Sequence, residues 1–166
     1  MHSRWNPVAN EAVIAFSIVM LILLFTVVMD TDGFIFLIDH ANLMFHEAGH
    51  VIFGIFGPVA GLYGGTIGQL VFPIATGVAF WRQGATLSFG FSCIWFFENF
   101  LNIARYAGDA RSRRLPLIGS GDHDWTNIMF RWNALEYDTT FAAILTTVAW
   151  LGMLGTWIWI IYRWRQ

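Results

Sequence analysis

Lysine is absent from this 166-residue chain, cysteine occurs once and only 12% of the residues are charged. Soluble domains carry about 25% charged residues, so an ordinary water-facing surface is excluded. The single thiol, Cys93, excludes an intramolecular disulfide, and its apolar neighbours make it a small buried hydrophobe. Nothing resembles a repeat, a low-complexity tract or a Pro/Gly/Ser linker, so residues 1–166 read as a single integral membrane domain. All nine basic residues are arginine and the net charge is −2, which points away from nucleic acid and toward lipid headgroups or structural ion pairs.

In place of charge there are long apolar runs, since 57% of the chain is hydrophobic. Residues 12–29 and 139–162 are free of charge, each close to the roughly 20 residues that span about 30 Å of hydrocarbon. Three less regular stretches lie between them, 34–58, 66–81 and 85–106. The expected fold is all-α, a polytopic helical bundle of about five membrane segments. The third holds Pro73 and is expected to be kinked, short or re-entrant. The first apolar run exceeds a signal-peptide core and reads as an uncleaved anchor. Uncleaved helical spans favour a bacterial inner membrane over an outer one. Arg105, Arg111, Arg113, Arg114 and Arg131 follow the fourth segment, whereas Asp30 and Asp32 follow the first. The positive-inside rule then puts residues 105–137 and the N-terminus in the cytoplasm, with Arg82, Arg163 and Arg165 in conflict.

Within this apolar background stands His46-Glu47-Ala48-Gly49-His50. Residues four apart share a helix face, so both imidazoles can meet one Zn²⁺, and Glu47 is placed to act on a water as general base. With 1.5 Å per residue the motif lies about 18–24 Å along a helix starting at Phe34, inside the membrane. Asp39 and Asn42 share the face of His46 and are expected either to bond a neighbouring helix or to fix the imidazole tautomers. The Gly-rich 57–68 stretch suits either close approach of a substrate backbone or tight helix packing.

A zinc site needs at least a third ligand. Glu98, Asn102, Arg105 and Asp109 form a polar stripe at helical spacing, and its far end, Asp109, is one candidate. Glu98 matches the depth of His46 better. The Asp122-His123-Asp124 run offers His123, on a loop able to fold over the site.

HEAGH on a membrane helix, the downstream 64–69 Gly-rich segment and the run from Asn102 to Asp109 together resemble the site-2-protease-like intramembrane zinc metalloproteases. The resemblance covers residues 34–111, without the prolines usual near the aspartate and with Ala110 in place of the glycine after it. It implies Zn²⁺ held by His46, His50 and Asp109, Glu47 activating water, and substrates that are membrane-embedded or membrane-proximal proteins. The alternative is a non-proteolytic subunit of a larger membrane complex, its histidines holding a structural metal or another cofactor.

Overall fold

The computed structural model describes residues 4–29, 36–116 and 122–166. The described residues form six α-helices and no strand: α1 (Asn10–Met29), α2 (Phe36–Gly54), α3 (Pro58–Gln83), α4 (Thr86–Gly108), α5 (Asp124–Arg131) and α6 (Asp138–Trp164), with a 3₁₀ turn at Leu135–Tyr137. Of these, α1, α3 and the run Leu135–Trp164 are long and apolar enough to cross a membrane. Asp30 and Asp32, used above to orient the chain, and the Gly/Ser residues before Asp122 lie outside the described residues.

The expected second and third segments divide differently. Gly54 and Gly57 flank a tight turn, with Gly57 at φ 111° and Pro58 opening the next helix. A left-handed backbone followed by a proline at the first helical position ends one helix and starts another. Helix α3 therefore begins eight residues before the expected 66 and runs unbroken through Pro73 for 26 residues. It stops at Gly84, whose left-handed conformation (φ 67°) returns its N–H to the carbonyls of Phe80 and Trp81.

Glycine sets how closely α2 and α3 approach. A Cβ on Gly64 would lie 2.6 Å from the Gly49 carbonyl oxygen, and one on Gly68 would lie 2.5 Å from that of Phe45. The 57–68 stretch is thus a helix-packing surface. Helix α4 continues the bundle, packing on α3 through Ser92 and Thr76 and on α6 through Phe97 and Gly152. Helix α1 runs antiparallel to α6: Trp157 donates to Ser17 Oγ at 3.0 Å and Trp164 to Asn10 Oδ1 at 2.8 Å. Only Val13, Met20 and Leu23 of α1 are buried, and much of the rest of this apolar helix faces outward, as a lipid-facing helix would.

These contacts fix which residues share an end of the bundle. The N-terminal segment sits on the α3–α4 turn, where Asn6 N–H donates to Gly84 O at 2.8 Å and the Arg4 guanidinium stacks 4.0 Å from the Trp81 ring centre. The C-terminus of α6 is at this same end. Residues 105–116 and the start of α6 form the opposite end, joined by Arg111 and Asp138 at 2.6 Å. The N-terminus and residues 105–137, expected on one side, therefore lie at opposite ends. The nine arginines divide between the ends: Arg4, Arg82, Arg163 and Arg165 at one, the other five at the other. So even a division gives the positive-inside rule nothing to select.

Candidate metal centre

The second end of the bundle holds the motif. His46 and His50 point from α2 toward α3 and toward Asp124, the first residue of α5. The Asp124 Oδ2 atom lies 3.0 Å from His46 Nε2 and 3.0 Å from His50 Nε2. These three groups are the one such cluster among the described residues, with ligand atoms all within 4.8 Å of one another. The Asp124 side chain is 15% exposed, His46 8% and His50 27%, so His50 forms the more open edge of the site.

The outer nitrogens decide what the inner ones are. His50 Nδ1 lies 2.8 Å from the Gly61 carbonyl oxygen and His46 Nδ1 lies 3.0 Å from Gln69 Oε1. Both partner oxygens accept, so each Nδ1 donates, and a ring in this tautomer with no second proton turns its Nε2 lone pair inward. Two such lone pairs and a carboxylate oxygen converge on one point. Held in that tautomer, the three groups are mutual acceptors that a cation between them would satisfy, and two imidazoles with one carboxylate form a donor set suited to Zn²⁺. Gly65 leaves the room: a Cβ there would stand 2.5 Å from His46 Nε2 and 2.6 Å from His50 Nε2. The residues present fit a metal ion.

The tautomer-fixing groups are on α3. Asp39 and Asn42, the other expectation for that role, turn to α4 instead: Asn102 donates to Asp39 Oδ1 at 2.6 Å, Asn42 donates to Glu98 Oε2 at 2.8 Å, and Trp95 donates to Asn42 Oδ1 at 2.8 Å. That seam occupies Glu98, which is 1% exposed and takes no part in the histidine cluster.

The other two expected ligands form the platform beneath α5. Asp109 closes α4 and accepts from Ser112 Oγ, from Arg114 N–H at 2.9 Å and from Leu115 N–H at 2.9 Å. His123 caps α5, its Nδ1 accepting the Thr126 N–H at 3.2 Å. That bond uses the lone pair a metal would need, so Nε2 bears the proton and faces Asp109 Oδ2 at 3.5 Å. Burial outweighs the Asp109 charge and holds His123 below the usual histidine range. Asp109 and His123 thus place the residue that reaches the histidines, one position beyond His123.

Helix α5 is seated by its own apolar face. Trp125, Ile128 and Met129 are buried with Ile103, Ala107 and Ala110, and Thr126 Oγ–H bonds the Ala110 carbonyl at 2.5 Å. Glu47, on the same turn as His46, is half-buried. No family model, no curated protein and no solved structure matches this chain.

Proposed function

We propose that this protein is an intramembrane metallopeptidase that hydrolyses peptide bonds of membrane-embedded or membrane-proximal proteins, with His46, His50 and Asp124 as metal ligands. The observation that carries the reading is the approach of His46 Nε2 and His50 Nε2 to Asp124 Oδ2, at 3.0 Å each, with Glu47 next to His46 on the same helical turn. Zn²⁺ held there would supply a Lewis acid that polarises a peptide carbonyl and acidifies a water. Glu47 would take the proton of the attacking water and return it to the leaving amine. Gly61 and Gln69 hold both rings in the ligating tautomer throughout.

HEAGH on an apolar helix agrees with the site-2-protease-like resemblance, which implies Asp109 as third ligand; the 3.0 Å approach of Asp124 Oδ2 to both Nε2 atoms supports Asp124 in its place. In the bilayer, the shared end of the two termini requires an even number of crossings, where five segments would separate them. Four crossings by α1, α3, α4 and α6 meet this requirement, with α2 set against their middle through Asn42 and Glu98. A bacterial inner membrane remains the proposed location.

The test is elemental analysis of detergent-purified protein, alone and as His46→Ala, His50→Ala and Asp124→Ala. About one zinc per chain, lost in each variant, supports the centre. A Glu47→Gln variant should retain the metal while cleaving no membrane peptide that the parent cleaves. Stoichiometric zinc with no cleavage of any membrane peptide would favour the structural-subunit alternative, and no metal in a folded preparation would overturn the centre itself.

A further inference from the structure

Asp124 reaches the histidines from a sequence position 74 residues beyond His50, on a helix of only eight residues, so something must hold its carboxylate in place. The neighbouring phenol does so: Tyr106 Oη accepts the Asp124 backbone N–H at 3.1 Å. The ring is itself wedged, 4.3 Å from the His123 ring centre and 6.0 Å from that of His46.

We infer that Tyr106 is the positioning residue of the metal centre: its hydroxyl holds the Asp124 backbone at the start of α5 so that Oδ2 faces both histidines, and thereby sets the affinity for a divalent cation. The inference rests on the metal reading above. The phenol belongs to α4, a long helix of the bundle, whereas Asp124 opens a helix of eight residues, so Tyr106 ties the short element to the long one. Groups that orient a metal ligand by hydrogen bonding are typically worth about 10- to 100-fold in metal affinity.

The experiment is Zn²⁺ titration of the full chain in detergent against a competing chelator, comparing the parent with Tyr106→Phe. Phenylalanine keeps the ring between His46 and His123 and removes only the hydroxyl, so the metal-free melting temperature should stay close to the parent's. The Zn²⁺ dissociation constant should rise by about tenfold or more. Parental Zn²⁺ affinity in Tyr106→Phe would overturn the positioning role and leave the centre standing. A parent that binds no Zn²⁺ would overturn both, and His46→Ala, run beside them, separates the two failures.

Discussion

Gly65 on α3 faces both motif histidines so closely that a methyl group in its place would stand 2.5 Å from His46 Nε2 and 2.6 Å from His50 Nε2. The ligating nitrogens thus look onto a bare backbone, and the space they share exists because one residue has no side chain. Gly65→Ala should force the rings apart and weaken Zn²⁺ binding by at least tenfold. Overpacking of this kind costs about 1–3 kcal/mol, so a lower melting temperature should accompany it. Chelator competition read beside a melting curve checks both. Full metal affinity in Gly65→Ala would mean that the rings swing aside at no cost.

The third ligand can be assigned by contrast. Asp124→Asn should lower Zn²⁺ affinity by on the order of 100-fold, since it removes a charged oxygen from the centre. Asp109→Asn should retain stoichiometric zinc, because that carboxylate is spent on Ser112, Arg114 and Leu115. Zinc content of the two variants decides it. Loss from Asp109→Asn with retention in Asp124→Asn would restore the assignment implied by the family resemblance.

Why Asp109 and His123 stand out in the sequence while Asp124 carries the contact has a physical cause. Spacing along one helix reveals His46 and His50, because both ligands sit on the same turn. The Asp122-His123-Asp124 run is also legible as a loop near the site, and histidine is the more familiar ligand within it. Which of the three turns inward depends on how α5 seats on Ile103, Ala107 and Ala110, a tertiary fact that no local pattern encodes. Gln69 and Gly61 were equally hidden, since they meet the rings across the α2–α3 interface. The break at Gly54 to Pro58, by contrast, was readable from its glycines and proline, and it is the apolar character of Val51 to Phe56 that masked it.

The seam between α2 and α4 should be structural. Asn42 satisfies Glu98 and the Trp95 indole at once, all largely removed from solvent. Asn42→Ala strands both partners, and a buried polar group left without a hydrogen bond costs about 1–3 kcal/mol. Unfolding in mixed micelles should show a loss of that order, with one zinc per chain retained in the fraction that stays folded. Loss of metal from folded Asn42→Ala would tie the seam to the centre.

Acid should loosen the platform under α5 through Asp109. Burial pushes this carboxyl up, but the bonds from Ser112 and from the Arg114 and Leu115 backbones, with His123 nearby, outweigh it, and the net shift is below the usual carboxylate range. The unfolded chain, with an ordinary value of about 3.9, then binds more protons than the folded one between the two values. Stability from this group is complete above about pH 4 and is lost as pH falls through the lower folded value. Asp109→Asn should therefore melt below the parent at pH 6, and the gap should close as the pH is taken well below 4. Melting curves of metal-free protein across that range provide the check. A gap that stays constant down to the lowest pH would show that the geometry of the side chain, and not its charge, holds residues 109–115.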